Sequence, residues 1–561
     1  MEHIFREHSK RRTFSLNGEW KFCIDKDGVG KDGKWYESFP EDFNYINVPS
    51  CWNLELGYYG YVGKAWYQKE FETSDTYLQL SFGSVTGQAD VYLDGKYLGS
   101  HYGTWLEFSF GTYVSAGVHS VVVCVDNTPN SLNTIPLRIV DWYNYGGITR
   151  SVEVTEFDKP FIKGDKVRYT LNENLDKASI TVELSLDNPF DIEYTTDIEI
   201  WCDDKLLKTE KASFKKDTEI IIDGIELDNI KLWDIGKGNL YNFRIATHDD
   251  DVYEKIGFRK IEAKNNQIFL NGKSIYIKGV NRHEAHPDWG FAVPLNVNRR
   301  DFQIIKDLGC NTVRGSHYPN THGFLDYLDR DGMLFWSEVP MWGSGTHESL
   351  TAPLTFERLK KMHEEMIDQY YNHPCIVIWG LHNEISTNTE DGYELTKKIR
   401  AFVESKDKTR LINFTTNRFL KDICLELTDV VCINAYLGWY GDAIEDWKAW
   451  FANVHNVLES KNCADKPVIM SEFGCPALHE YSSLNGEKWS TDYQTRMLTE
   501  VINDSIATEG VCGTLVWQFC NSPSDMDLAK ARGFNNKGIL DEYRHPKLAY
   551  YAIREIYKSI E

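Results

Sequence analysis

The chain is short of positive charge: 61 Lys and Arg stand against 84 Asp and Glu, a formal net charge of −23. A deficit of that size argues against nucleic acid or an anionic membrane as partner. An anionic substrate would need a locally reversed field, so isolated Lys or Arg residues in loops gain interest. Close cysteine pairs are also missing. The 12 Cys are scattered without a CxxC, and Cys124, Cys432 and Cys512 sit inside apolar runs as small buried hydrophobes. This usage fits a reducing compartment. No run reaches transmembrane length, and Met1 to His8 carries no apolar leader region, so the expected location is cytoplasmic. Internal repeats and low-complexity tracts are absent.

What is present is an ordinary globular mix with many rings. Hydrophobic residues make up 42% and charged residues 26%, and there are 17 Trp and 31 Tyr. Excess rings suit sugar binding and large β-sandwich cores alike. At 561 residues the chain must divide into several cores. Residues 1–158 read as all-β. Thr13–Leu16 alternates and Asn17-Gly18 turns, while Asp94-Gly95 sits between Asp90–Leu93 and Lys96–Gly99 as a hairpin signal. Residues 159–262 form a second all-β unit of immunoglobulin-like size. From 263 the pattern changes to strand-like runs alternating with helical periods such as Asp301–Leu308, Leu359–Tyr371 and Leu395–Glu404. Eight strands are expected: Ile275–Val280, Asn311–Arg314, Leu334–Trp336, Ile376–Trp379, Leu411–Phe414, Val430–Ile433, Val468–Met470 and Thr514–Trp517. Together they predict one (β/α)₈ barrel over 263–561.

Two of these strands end in a carboxylate. Ile376–Trp379 leads into His382-Asn383-Glu384, and Val468–Met470 into Ser471-Glu472. Alone, either Glu reads as a solvated loop residue. As a pair at the carboxyl ends of barrel strands they are the equipment for cleaving a glycosidic bond, one as acid and one as nucleophile. Asn383 is placed to bond a sugar hydroxyl. Arg314, directly after its strand, is expected to pair with a carboxylate, Glu472 being the candidate, and so keep it charged. His283, His286, His317 and His382 lack the helical spacing of a zinc pair. They read as hydroxyl-binding or core groups, and neither metal nor cofactor is expected.

The runs Gly279-Val280-Asn281-Arg282-His283-Glu284, Arg314-Gly315-Ser316-His317-Tyr318-Pro319, Trp379–Glu384 and Ser471-Glu472-Phe473-Gly474 resemble the barrel motifs of glycoside hydrolase family 2. Leu16-Asn17-Gly18-Glu19-Trp20 and Val48-Pro49-Ser50-Cys51-Trp52 resemble that family's jelly-roll sugar-binding domain. The resemblance runs through the whole chain. It implies a jelly roll, an immunoglobulin-like sandwich and a TIM barrel, with retaining exo-β-glycosidase chemistry, Glu384 as acid/base and Glu472 as nucleophile. Asn535-Asn536-Lys537 resembles the Asn-x-Lys element by which the family's β-glucuronidases hold the C6 carboxylate. By itself Lys537 reads rather as a surface lysine in a Gly- and Asn-rich loop, and only its place after strand eight within this resemblance favours the carboxylate role. The resemblance further implies that, after strand six, Asn434 and Tyr436 line the nucleophile's side and Tyr440 contacts the carboxylate; His283 and Trp517, at the ends of strands one and eight, are expected to bind substrate. Asp141 would reach the sugar from the first domain, or simply serve its turn. The expected partner is a small glycoside or oligosaccharide with a terminal uronic acid, and family members are commonly homo-oligomers. A β-galacturonidase, a neutral-sugar β-galactosidase and an inactive carbohydrate-binding protein stand as alternatives. The segment Met341–Phe356 is short, so an open entrance that accepts larger leaving groups is expected.

Overall fold

A computed structural model describes residues 3–560 of the chain, apart from 131, 133, 138, 139 and 525–529. The first unit is a sandwich of two antiparallel sheets. One orders Arg12–Ser15, Val152–Phe157, Thr76–Phe82 and Phe108–Val114. The other orders Asn44–Val48, Gly18–Asp25, Lys64–Thr73, Gly117–Asp126, Gln88–Leu93 and Lys96–Tyr102. Alternation points one face of each strand inward, and Trp20, Phe22, Leu78, Leu80, Val121, Val123 and Val154 fill the space between the sheets. The Asp94-Gly95 hairpin is where the sequence puts it, joining Gln88–Leu93 to Lys96–Tyr102. Asn17-Gly18 does something different. It carries the chain from one sheet to the other, with Gly18 at φ 111°, a backbone angle that glycine adopts at little cost.

The second unit packs a sheet of Phe161–Leu171, Lys177–Asp187 and Thr218–Asp228 against one of Lys205–Phe214, Tyr194–Cys202, Tyr241–Ala246 and Asp251–Ile256. A small meander, Ile261–Lys264, Gln267–Leu270 and Lys273–Ile275, then feeds Ile261, Ile268 and Leu270 into the barrel core. It takes up the beginning of the first expected barrel strand, which therefore starts two residues later.

The barrel closes through eight parallel strands in sequence order: β1 Ile277–Arg282, β2 Thr312–Gly315, β3 Leu334–Glu338, β4 Ile376–Asn383, β5 Leu411–Thr416, β6 Val431–Asn434, β7 Val468–Phe473 and β8 Val511–Val516. Every residue of these strands is buried except Lys278, which is why they read as continuous apolar runs. The helices that matter below are α1 Leu295–Asp307, α2 His322–Asp331 and α3 Pro353–Tyr370. Helix α1 begins six residues earlier than its apolar period predicts. Its buried face carries Asn298 and Asp301, both bonded to the buried Arg282 guanidinium at 2.6 and 3.0 Å, and polar residues on a core-facing stripe hide the helical signal.

The first sandwich docks on the mouth of the barrel. Trp105 stacks on Tyr318 with ring centroids 3.9 Å apart, Arg150 pairs with Glu284 at 3.0 Å, and Tyr143 N–H donates to Pro523 O at 3.0 Å. These contacts bring Asp141 and Trp142 to the cavity at the carboxyl ends of the strands.

Candidate active site

Glu384 follows the last residue of β4 in a left-handed backbone (φ 58°), a conformation uncommon for a residue with a β-carbon. Its N–H is held by Thr415 O at 2.9 Å. The carboxylate accepts from Asn434 Nδ2 at 2.7 Å and from Asn417 Nδ2 at 3.0 Å. Glu472 lies within β7, where it accepts from Arg314 Nη1 at 2.8 Å and from the Tyr436 hydroxyl at 2.7 Å. Both carboxylates line one cavity of about 620 Å³, together with Trp142, His283, His317, Trp342, Asn434, Tyr436, Tyr440, Trp517 and Lys537.

Beneath Glu472 the Arg314 side chain is fully buried. Its guanidinium makes a two-point contact with Glu338 at 2.8 and 3.0 Å. It also donates to Asn281 Oδ1 at 3.0 Å and to Asn383 Oδ1 at 2.8 Å. Burial disfavours its charge, but Glu338 and Glu472 more than offset that and raise its pKa. Arg314 therefore stands under Glu472 rather than on the cavity wall. The nearness of Glu338 depends on Gly380, where an added Cβ would come within 2.6 Å of Glu338 Cβ.

The electrostatics separate the two cavity carboxylates. Burial, and then the charge of Glu472, push the Glu384 pKa up to about 7. Glu472 faces the Arg314 cation. One group is suited to carry a proton and its neighbour to carry charge. The rings nearby stay neutral: burial and then Arg314 lower the His317 pKa to about 3, and burial, reinforced by His317, lowers that of His283 well below its usual value.

A second polar group occupies the wall that faces the first domain. Lys537 Nζ donates to the Tyr440 hydroxyl at 2.8 Å and lies 5.3 and 4.9 Å from the ring centres of Tyr436 and Tyr440. Asn535 is almost fully buried. Its Oδ1 accepts from Lys537 N–H at 3.3 Å and its Nδ2 donates to Asp141 at 3.4 Å. The Asp141 carboxylate is also ion-paired with Lys530. Under this turn lies Lys547, whose Nζ donates to Ala477 O, Asn521 Oδ1 and Asn536 O at 2.7, 2.9 and 2.9 Å. Burial lowers its pKa to about 7. Three oxygen acceptors nevertheless call for three N–H donors, which only the ammonium has. We therefore take it as a charged peg that fixes the middle residue of Asn535-Asn536-Lys537.

Among the residues expected from sequence, Glu384, Glu472, Asp141, His283, Asn434, Tyr436, Tyr440, Trp517 and Lys537 all line the cavity. Asn383, Asn535 and Arg314 pack directly against its lining residues, each at most 2% exposed. Sequence reading missed Glu338, although Leu334-Phe335-Trp336-Ser337-Glu338 repeats the pattern of an apolar strand ending in Glu. It also missed Lys547 and Lys530, which no local motif marks, and Trp142, Trp342 and Asn417, which reach the cavity from loops.

Two carboxylates at the carboxyl mouth of a parallel barrel, one with a raised pKa and the other on a buried guanidinium, with rings and neutral donors around them, define a glycoside hydrolase. Three family profiles cover the chain: "Glycosyl hydrolases family 2, sugar binding domain" over residues 13–160, "Glycosyl hydrolases family 2" over 161–259, and "Glycosyl hydrolases family 2, TIM barrel domain" over 261–561. The protein belongs to glycosyl hydrolase family 2. A β-glucuronidase of Streptococcus agalactiae is 27% identical over 96% of this chain and 94% of its own. The crystal structure of a β-galacturonidase from Eisenbergiella tayi bound to galacturonate is 30% identical, with TM-score 0.92 over 100% of both chains. A Ruminococcus gnavus β-glucuronidase in complex with D-glucuronic acid is 26% identical, with TM-score 0.88 over 99% of each chain.

An acid that titrates near 7 must be protonated to work, so kcat/KM is expected to fall above about pH 7, roughly tenfold per pH unit. In Glu384→Gln that alkaline limb should vanish along with most activity on poor leaving groups. A pH–rate profile in which the limb persists would remove Glu384 from the role. Lys547→Met should raise KM for a charged sugar at least about tenfold with a smaller change in kcat, the signature of lost ground-state binding. Equal losses in both constants, or none, would show that the peg does not hold the turn.

Proposed function

We propose that the protein is a retaining exo-β-uronidase that hydrolyses β-D-glucuronides through a covalent glycosyl-enzyme intermediate. The observation that carries this reading is the one Lys or Arg side chain on the cavity wall among the described residues, Lys537, held between two tyrosine rings in a protein of net charge −23. A cation with a neutral amide beside it suits a sugar carboxylate. In the proposed reaction Glu384 protonates the leaving oxygen while Glu472 attacks the anomeric carbon. Glu384, now the base, then deprotonates the water that releases the sugar. Arg314 and Tyr436 hold Glu472 in place, and Asn434 holds Glu384. Asn535 and Lys537 bind the C6 carboxylate, and Tyr440, now on Lys537, turns to share it. Asp141 and His283 are the proposed hydroxyl contacts, and Trp517 forms the floor. Asn383, with its Oδ1 engaged by Arg314, contributes its amide N–H to a hydroxyl.

A second reading has specific support. The relative from Eisenbergiella tayi, a β-galacturonidase, binds galacturonate, and Asn535 and Lys537 address the carboxylate that both uronic acids share. That pair does not separate the C4 epimers, and Asp141, whose carboxylate is shared between Lys530 and Asn535, is the proposed hydroxyl contact beside it.

Removing the nucleophile in Glu472→Ala should cost at least about 10³-fold in kcat, and near-native turnover would overturn the mechanism. Initial rates on aryl β-D-glucuronide, β-D-galacturonide and β-D-galactoside, for wild type and Lys537→Ala, test the substrate class. The uronides should lead, and the variant should lose most of that preference. A leading galactoside, unchanged in the variant, would refute carboxylate recognition.

A further inference from the structure

Outside the cavity, a group of three histidines is built from three separate parts of the chain. Helix α2 presents His322, Asp326 and Asp329 on one face, at spacings of four and seven residues. His373 lies in the turn between α3 and β4. His3 belongs to the N-terminal arm, which crosses the second sandwich with Tyr253 N–H on Glu7 O at 2.8 Å and reaches α2 with Ile4 N–H on Asp326 at 2.8 Å.

One ring nitrogen from each histidine lies within 4.8 Å of the other two. His322 Nδ1 and His373 Nε2 are 2.9 Å apart. Asp329 Oδ2 accepts from His373 Nδ1 at 2.5 Å, and Cys375 N–H holds its other oxygen at 2.8 Å. A proton fixed on Nδ1 by a carboxylate leaves the Nε2 lone pair directed at His322. That is the arrangement by which a carboxylate behind a histidine orients it as a metal ligand. Asp326 lies 2.9 Å from His3 Nδ1, and Glu7 3.9 Å from its Nε2, so the surroundings are acidic.

We propose that His3, His322 and His373 form a binding site for a zinc-class divalent cation that pins the N-terminal arm to the barrel. Imidazole nitrogens suit Zn(II) and its neighbours rather than calcium or magnesium. Metal–nitrogen bonds of about 2.0–2.1 Å need ligand nitrogens roughly 3.3 Å apart. The helix and turn histidines are already near that spacing, and His3, on the arm, is the ligand that moves in to complete the set. His3 and His322 are partly exposed, which gives an ion access from solvent. The role is structural, because the cavity carboxylates lie elsewhere and the site does not touch them.

The test is calorimetric titration of the chelator-stripped full-length protein with Zn(II), repeated with Co(II) and read by its visible absorption. One equivalent should bind with Kd about 1 µM or tighter, and the cobalt bands should show nitrogen ligation. Affinity should fall at least about tenfold in His322→Ala and in His3→Ala. His3→Ala alters the arm alone. Its unchanged hydrolytic rate and circular dichroism would separate a lost ligand from a lost fold. No binding up to 100 µM Zn(II), or undiminished binding in both variants, would overturn the site.

Discussion

The buried Arg314 guanidinium is the point on which the catalytic end of the barrel depends. It joins β2 to β3 through Glu338, to β1 through Asn281, to β4 through Asn383 and to β7 through Glu472. An unpartnered charge at that depth would cost several kcal/mol. Each of these acceptors is therefore constrained by the others, and the planar fork of the guanidinium fixes their angles as well as their distances. Asn281 extends the constraint, donating to Ser471 O, Leu515 O and Val516 O at 2.8–3.2 Å across β7 and β8. Glu472 is thus held by a network spanning most of the barrel before any substrate arrives.

This arrangement explains how much the sequence reveals. The eight strands are legible because each is buried on both faces and so reads as an apolar run, and Glu384 and Glu472 stand out because a carboxylate interrupts that pattern. Glu338 breaks the same pattern yet escapes notice, since the apolar run ends at Trp336, two residues before it. Its function is relational: it exists to balance Arg314, and balance is a property of pairs that no single stretch displays. The early start of α1 was hidden for the same reason, its polar Asn298 and Asp301 belonging to the core only because Arg282 is there to meet them. Lys547 is the extreme case. Its three acceptors come from the segments after β7 and after β8 and from the turn at Asn536, so nothing near it in sequence marks it out.

The overall acidity and the cation-bearing wall are complementary. A chain with 84 acidic side chains repels an anionic sugar at long range, and salt screens that repulsion beyond roughly 10 Å. Inside the cavity the field is local. Lys537, Lys530 and Lys547 cluster around one turn, and the low Lys530 pKa, about 7, comes from burial and then from Lys537. Cations that crowd one another in the free protein gain when an anion enters between them. On the proposed reading, a substrate carboxylate near Lys537 would join Asp141, already paired with Lys530, in offsetting that repulsion.

The charge count around the reacting carbon completes the argument. Arg314 stands between two carboxylates, Glu338 and Glu472, and His283 and His317 remain neutral because burial keeps protons off them. Two carboxylates facing one guanidinium leave a surplus of acidic groups in a buried site, where electrostatic effects are strong. The proposed mechanism passes through an oxocarbenium-like transition state, so positive charge develops beside that surplus. A second cation in place of His317 would neutralise it. Keeping the histidines uncharged is therefore as much a part of the site as keeping Arg314 charged, and one cause, burial among closely packed rings, serves both the neutrality of the imidazoles and the raised proton affinity of Glu384.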